Sequence, residues 1–148
     1  MGLENILLHN IFERKLIAII RGIGSDRMME TVGALVDGGI SLLEVTLDQR
    51  DEAKANDGIR SMERIKESFG DRVSLGAGTV ITVDQVKRVV AAGAEFIISP
   101  NVSSEVIRET KKLGKISIPG AFTPTEMVLA HECGADLVKT FPCGSFGN

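Results

Sequence analysis

The sequence predicts an α/β fold built on a parallel β-sheet, and three observations support this class. Short apolar runs rich in Ile, Val and Leu recur along the 148 residues, each followed by a longer amphipathic stretch. Successive runs start between 20 and 31 residues apart, which is enough for a strand and a crossover helix. The runs are nearly continuous in apolar residues rather than alternating, as expected for strands buried on both faces.

Six strands are expected from these runs. Their predicted bounds are 16–20, 42–47, 73–75, 96–99, 116–118 and 137–141. Helices are expected between them, each bounded by a capping residue and a glycine.

A helix over residues 3–13 precedes the first strand, and residues 25–37 form the next helix, with Ser25 or Asp26 as the candidate cap. The segment 48–57, DQRDEAKAND, is polar and predicts a long loop after the second strand. Three further helices follow candidate capping residues, which are Thr82, Ser103 or Ser104, and Thr123 with Pro124 at its side.

Alternating strands and helices without a linker form either an open, doubly wound sheet or a closed barrel. The dipeptides that end the helices repeat at Gly38-Gly39, Ala92-Gly93 and Cys133-Gly134, which favours the equivalent units of a TIM-type (β/α) barrel. Eight units usually need about 200–250 residues, whereas 148 residues have room for about six. We therefore expect residues 1–148 to form a single barrel domain that is truncated after the sixth strand.

Composition limits the classes of function. Hydrophobic residues make up 43% of the chain and the net charge is −3, which excludes a disordered chain. The 17 basic residues are outnumbered by 20 acidic ones and form no patch, so a nucleic-acid partner is not expected. No apolar run is long enough for a membrane span, and Cys133 and Cys143 lack metal-ligand or disulfide spacing. We expect a cytoplasmic protein with no membrane partner, metal ion or cofactor.

Among the ionisable residues in or directly after predicted buried strands, where an unpaired charge is costly, three are candidates for function. Arg21 follows the first strand, Glu44 lies within the second and Lys139 within the sixth. Side chains alternate between the two faces of a strand, so a barrel can bring Glu44 and Lys139 together from different strands. The C-terminal ends of barrel strands are where catalytic residues lie in this architecture.

A lysine inside a buried strand supports a specific chemistry. Desolvation favours its neutral amine, which can attack a carbonyl and form a Schiff base that acts as an electron sink. A neighbouring carboxylate such as Glu44 would then move protons. The alternative from pattern alone is a structural ion pair between Glu44 and Lys139, or a charge that faces solvent.

The segment Gly76-Ala77-Gly78-Thr79 follows the third strand. Its glycines allow close approach to the backbone, and the Thr79 hydroxyl could bind a carboxylate or a phosphate. A tight turn that leads into a helix cap is the alternative interpretation.

Six segments occur in one order along the chain: IAIIRG ending at Gly22, GGISLLEVTL at 38–47, GAGTV at 76–80, AGAEFIISPN at 92–101, SIPGAFTPTE at 117–126 and GADLVKTFP at 134–142. Together they resemble the 2-keto-3-deoxy-6-phosphogluconate / 4-hydroxy-2-oxoglutarate aldolase family of small class I aldolases. The resemblance implies a (β/α)8 barrel, a homotrimer, and cleavage of a 2-keto-4-hydroxy acid to pyruvate and an aldehyde without a metal.

The same resemblance implies roles for individual residues. Lys139 would be the Schiff-base lysine, and Glu44 would be the general acid/base. Thr79 would bind the carboxylate of pyruvate. The remaining substrate contacts would come from three residues that match the family's pocket: Arg21, Pro100 and Phe141.

The chain departs from the family pattern in two places. Many members continue LEVTL with a carboxylate-binding arginine, but Asp48 stands here, so Arg21 or Arg50 would have to replace that contact. Members also continue beyond the lysine strand with two more strand–helix units and a glycine-rich phosphate-binding segment. An inactive or incomplete barrel fragment, or a barrel that resembles a sugar-phosphate epimerase, therefore remains as an alternative function.

Overall fold

Six parallel strands alternate with helices in the computed structural model, which describes residues 3–144. A short 3₁₀ helix at Gly70–Arg72 leads into the third strand. In chain order the elements are α1 (Leu3–Arg14), β1 (Ala18–Ile20), α2 (Ser25–Asp37), β2 (Leu42–Thr46), α3 (Glu52–Phe69), β3 (Ser74–Gly78), α4 (Val83–Ala91), β4 (Phe96–Ser99), α5 (Ser104–Lys112), β5 (Ile116–Ala121), α6 (Pro124–Glu132) and β6 (Lys139–Thr140).

The strands lie in the sheet in the order in which they occur in the chain, β1-β2-β3-β4-β5-β6, and every neighbouring pair is parallel. A doubly wound sheet reverses its strand order at a switch point, and the described strands have no such reversal. The predicted α/β class and the six strands are confirmed. The sequential order is compatible with the wall of a TIM-type barrel.

The two faces of the sheet bury different clusters. Alternate strand residues, among them Leu43, Leu75 and Ile97, pack with apolar residues of α2, α3 and α4 in the larger cluster. We call the opposite side the inner face, and its cluster includes residues of α1 as well as of the strands. That cluster contains Leu7, Ile11, Leu42, Phe96, Ile98, Ile116 and Ile118.

Side-chain caps begin three of the helices at the predicted residues. Thr82 accepts a hydrogen bond from the Gln85 amide, and Ser103 accepts one from the Val106 amide. Thr123 forms a full capping box with Glu126. These caps satisfy amides that have no partner within the helix.

The prediction that Ser25 or Asp26 caps α2 is wrong. Gly24 is the N-cap residue of this helix and supplies no side chain. Instead, the amide of Ser25 donates to Asp57 Oδ2 of α3 at 3.1 Å. A carboxylate from a neighbouring helix thus takes the place of a local cap, which no local sequence pattern reveals.

The prediction of a long loop over residues 48–57 is also wrong, because α3 begins at Glu52. Asp51 is its N-cap and accepts a hydrogen bond from the Lys54 amide at 3.2 Å. Ala55, Ile59 and Met62 are buried on one side of the helix, at the spacing of an amphipathic helix. Polar and charged residues stand between them in the sequence, and these concealed the pattern.

Helix ends repeat along the chain, as the predicted dipeptides suggested. Each of four helices is followed by a glycine with a positive φ, a conformation that other residues rarely adopt. These glycines are Gly39, Gly93, Gly114 and Gly134. The remaining helix between strands, α3, also ends at a glycine with a positive φ, Gly70, which begins the 3₁₀ helix.

Candidate active site

Glu44 and Lys139 both belong to the inner face. Glu44 lies two residues after Leu42 of the inner cluster, opposite Gly76 of β3. Lys139 lies two residues after Leu137, which packs on the same cluster, and is paired with Gly120 of β5. The fold thus places a carboxyl and an amine on one side of the sheet, as the alternation of side chains predicts.

Glu44 is only 2% exposed. Its Oε1 accepts a hydrogen bond from Thr46 Oγ1 at 3.1 Å, while its Oε2 has no hydrogen-bond partner in the structure described here. Burial raises the pKa of the Glu44 carboxyl, against the opposing effects of the Lys139 charge, the Thr46 hydrogen bond and the Arg21 charge. A carboxyl of this kind is suited to release and take up a proton.

Two glycines of β3 make room for side chains from the neighbouring strands. A Cβ at position 78 would overlap the Glu44 carboxylate and would lie 2.8 Å from its Cγ. A Cβ at position 76 would overlap the ring of Phe96. The glycines therefore allow the close approach of Glu44 and Phe96, and we call Gly78 the glycine seat of Glu44. Both glycines lie within β3, so the alternative interpretation of a tight turn does not apply to them.

Lys139 lies in a different environment from Glu44. It is half-buried, in a strand of two residues. Its Nζ is 4.7 Å from the centroid of the Phe141 ring, which is itself 41% exposed. The expectation of a lysine buried inside a strand is therefore met only in part, although its charge acts on Glu44.

Arg21, Thr79 and Pro100 each follow a strand, and they come from three different strands. Arg21 is exposed, and its charge acts on Glu44. Thr79 is half-buried and has a φ of 59°. Pro100 lies against β5, where a Cβ on Gly120 would come within 2.5 Å of the Pro100 carbonyl oxygen.

A cleft of about 690 Å³ lies at the ends of β1, β2 and β3, and we call it the β1–β3 cleft. Arg21, Thr46 and Thr79 line it, together with Asp48 and Arg50. It thus brings together two of the predicted substrate-binding residues and the hydrogen-bond donor of Glu44. Four predicted site residues are not in its lining: Glu44, Pro100, Lys139 and Phe141.

Asp48 and Arg50 contact each other at the rim of this cleft. The Arg50 amide donates to Asp48 Oδ1 at 2.8 Å, and Arg50 Nε lies 3.7 Å from the same oxygen. This amide hydrogen bond, with the charges of Arg50 and Lys54, holds the pKa of Asp48 below its ordinary value. The Arg50 side chain is 93% exposed and engaged with Asp48, so Arg21 is the better placed of the two arginines to meet a substrate carboxylate.

Sequence reasoning missed two residues beside Thr79. Gln49 Nε2 donates to the Thr79 carbonyl oxygen, and Gln85 Nε2 donates to Gln49 Oε1. The sequence analysis also missed the hydrogen bond that Thr46 donates to Glu44. Residues two apart on a strand lie on the same face, so this contact could have been predicted. No signal along the chain links Gln49 to Gln85, which are 36 residues apart.

Two classes of feature are absent from the part of the chain that the structure describes. No group of three or more His, Cys, Asp or Glu residues could hold a metal ion there. None of the helices within residues 3–144 is long and apolar enough to cross a membrane.

A model of the KDPG and KHG aldolase family matches residues 8–148. The 2-dehydro-3-deoxy-6-phosphogalactonate aldolase of Escherichia coli K12 is 38% identical over 132 residues, which are 89% of this chain and 62% of that protein. The 2-dehydro-3-deoxy-phosphogluconate aldolase of Treponema pallidum is 39% identical over 77% of this chain and 51% of its own length. The chain thus spans less than two thirds of the length of these two relatives.

A solved structure shows the same arrangement of the backbone. It is the KDPG aldolase of Legionella pneumophila, in which pyruvate was captured as a covalent carbinolamine. The two chains are 35% identical with a TM-score of 0.74, and the match covers 85% of this chain and 58% of the other.

Proposed function

Because the chain belongs to the KDPG and KHG aldolase family, we propose that the protein cleaves a 2-keto-4-hydroxy acid to pyruvate and an aldehyde through a Schiff base on Lys139. One observation carries this proposal. Glu44 is buried, has one carboxylate oxygen without a hydrogen-bond partner in the described structure, and shares the inner face with Lys139. The covalent carbinolamine of the Legionella relative supports the same chemistry.

Cleavage begins with the neutral amine of Lys139, which adds to the C2 carbonyl carbon of the substrate. The nitrogen gives up one proton and the carbonyl oxygen takes up one, which gives a neutral carbinolamine. The Glu44 carboxyl donates a proton to the departing hydroxyl, which leaves as water, and an iminium forms between Lys139 Nζ and C2. The raised pKa of Glu44 keeps this proton available closer to neutral pH.

Carbon–carbon cleavage then uses Glu44 as the base. The Glu44 carboxylate takes the proton of the C4 hydroxyl, directly or through one water, and the C3–C4 bond breaks. The electron pair of that bond moves into the iminium and gives an enamine, while the aldehyde leaves. Glu44 returns the proton to C3, and water hydrolyses the new iminium, which releases pyruvate and the Lys139 amine.

Four residues are proposed to hold the substrate during these steps. Thr79 offers its hydroxyl to the carboxylate of pyruvate, and Arg21 places a positive charge at the same cleft. Pro100 and Phe141 supply apolar walls, with Phe141 next to the lysine Nζ. Asp48 and Arg50 contact each other instead, so the carboxylate contact that an arginine makes at position 48 in many family members passes to Arg21.

Trapping with borohydride tests the proposal. The protein is incubated with pyruvate and reduced, and the modified lysine is located by mass spectrometry. We expect an adduct on Lys139 that the Lys139→Ala variant does not form. Lys112→Ala, which changes a lysine exposed on α5, serves as the matched control and should be trapped like the parent. A folded protein that forms no adduct would instead favour an inactive fragment or an epimerase-like barrel.

The whole protein is further proposed to form an eight-unit barrel, to assemble as a homotrimer and to be cytoplasmic. Exposed Leu16 and Ile19 at the β1 edge support closure by further units, and exposed Val128 on α6 supports an interface with other copies. Neither Cys133 nor Cys143 forms a disulfide, which is typical of a reducing compartment. Light scattering on the purified protein measures the assembly, and a monomer would contradict it.

A further inference from the structure

Two glutamine side chains form a bridge to the backbone of Thr79. Gln49 lies in the loop between β2 and α3, and its Nε2 donates to the Thr79 carbonyl oxygen at 2.6 Å. Gln85 lies in the first turn of α4, and its Nε2 donates to Gln49 Oε1 at 2.9 Å. The Oε1 of Gln85 accepts from the amide of Ile81 at 2.9 Å, so the bridge runs from α4 through Gln49 to Thr79.

Thr79 needs support of this kind because of its backbone. Its φ of 59° lies in the left-handed region, which β-branched residues rarely adopt and which persists only when the surroundings hold it. The residues on both sides of Thr79 remain fixed to the sheet. The Gly78 carbonyl accepts from the Leu47 amide at 2.9 Å, and the Val80 amide donates to the Ile98 carbonyl at 3.3 Å.

We propose that Gln49 and Gln85 are positioning residues, which hold the Thr79 hydroxyl at the β1–β3 cleft for the carboxylate of the substrate. The inference rests on the proposed role of Thr79. Gln49 and Thr79 both line the cleft. A substrate carboxylate that binds the Thr79 hydroxyl therefore depends on a backbone orientation that the glutamines help to fix.

The bridge has a direction, because each amide uses both its donor and its acceptor. Gln49 accepts from Gln85 and donates to Thr79, while Gln85 accepts from Ile81 and donates to Gln49. Replacing Gln49 removes the contact with Thr79 itself. Replacing Gln85 leaves that contact in place but frees the Gln49 side chain to turn, so its effect should be smaller.

The test measures the exchange of deuterium into the methyl group of pyruvate, as a function of pyruvate concentration, in the purified protein. Gln49→Leu should raise KM about three- to tenfold, since a single hydrogen bond contributes a factor of this size, and should leave kcat within about twofold. Gln85→Leu should raise KM by a smaller factor, about two- to threefold, which is half of the Gln49→Leu effect in free energy. Lys87→Leu, on the exposed side of α4, is the matched control and should change neither parameter.

A double variant separates positioning from a general structural role. In a Thr79→Ala background the hydroxyl is gone, so Gln49→Leu should add no further increase in KM. An equal increase in both backgrounds, or a fall in kcat with KM unchanged, would overturn the inference.

The two proposals fail in different ways. If the parent protein exchanges deuterium and is trapped at Lys139 while Gln49→Leu leaves KM unchanged, only the role of the glutamines is wrong. If the parent protein neither exchanges deuterium nor forms an adduct with pyruvate, both proposals are wrong.

Discussion

The two halves of the proposed catalytic pair lie in opposite kinds of structure. Glu44 is in the middle of β2, a strand of five residues that is paired on both sides, with Gly78 of β3 against its side chain. Lys139 begins β6, a strand of two residues that is paired with β5. Glu44 is buried, whereas Lys139 is half-buried beside an exposed phenylalanine.

The difference fits the roles proposed for the two groups. A carboxyl that moves protons benefits from burial, because desolvation raises its pKa toward the working pH. A lysine that forms a covalent bond must instead reach a carbonyl carbon on a molecule that enters and leaves. The carboxyl accordingly lies in the core, where its ionised form is costly to bury, and the amine lies in a short strand that is partly exposed.

The largest effect on the rate of deuterium exchange is expected when Glu44 is replaced by a residue that cannot transfer a proton. Glu44→Gln keeps the size of the side chain but cannot cycle a proton, so deuterium exchange into pyruvate should slow by about 10²–10⁴-fold. Borohydride trapping at Lys139 should remain measurable. Thr46→Val is a useful companion, since it removes only the hydrogen bond to Oε1 and should cause a smaller loss. Unchanged exchange in Glu44→Gln would remove this residue from the mechanism.

The glycine seat of Glu44 gives the next largest effect. Gly78→Ala places a methyl group into the space of the Glu44 carboxylate, and overpacking of this kind costs about 1–3 kcal/mol of unfolding free energy. Gly33→Ala is the matched control, because its new Cβ meets only Phe69 Cζ at 4.0 Å. That change lies inside α2 and should stabilise the protein by up to about 1 kcal/mol.

Denaturant unfolding of Gly78→Ala and Gly33→Ala measures how much stability depends on the absence of a side chain at position 78. The double variant Glu44→Ala with Gly78→Ala should recover much of the lost stability, since the overlapping carboxylate is gone. If Gly78→Ala proves as stable as the parent protein, the inner face is loosely packed around Glu44 and the contrast with β6 disappears.

Much of this arrangement could be predicted from sequence because its signals are local. Continuous apolar runs marked the strands, and spacing along β2 and β6 placed Glu44 and Lys139 on the inner face. The start of α3 was missed because its buried residues, beginning at Ala55, are separated by charged ones. The segment 48–57 is mostly polar, so it was predicted as a loop although apolar residues at helical spacing begin at its end.

Features that depend on contacts between distant segments could not be predicted. The cap of α2 comes from Asp57, 32 residues away from Ser25. The seat for Glu44 depends on the register that aligns β2 with β3, and the bridge to Thr79 depends on how two loops meet. Pattern along a chain carries no information about such pairings before the strands are aligned.

A pH-dependent gain in stability should follow when the buried carboxyl is removed. Burial raises the pKa of Glu44, so the folded protein binds this proton more tightly than the unfolded chain does. Stability from this group is therefore present at low pH and is lost as the pH rises through the raised pKa. Glu44→Met should raise the free energy of unfolding by about 1–2 kcal/mol at pH 8, because it replaces a buried charge with an apolar group.

The advantage of Glu44→Met should shrink as the pH falls from 8 through the raised pKa of Glu44 and should be smallest below about 4, where the carboxyl is protonated in both states. Denaturant unfolding at several pH values measures this difference. Asp26→Asn, a change of an exposed carboxylate in the first turn of α2, is the control and should show no such rise above neutral pH. A gain from Glu44→Met that does not vary with pH would mean that packing, not ionisation, is responsible.

The smallest effect on stability is expected at Lys139, although the loss of Schiff-base chemistry there should be complete. The stem of the lysine is half-buried, and its described contact is the ammonium group 4.7 Å from the Phe141 ring centroid, an interaction that contributes about 0.5–1 kcal/mol at exposed sites. Lys139→Met keeps the apolar stem and removes only the charge, so the free energy of unfolding should change by less than about 1 kcal/mol.

Because the Lys139 charge also favours ionised Glu44, its removal should raise the pKa of the Glu44 carboxyl further, and the small loss of stability should grow with rising pH. Denaturant unfolding at pH 6 and pH 8 measures both quantities. A loss above about 2 kcal/mol would mean that β6 is part of the stable core, and the two halves of the pair would then be built alike.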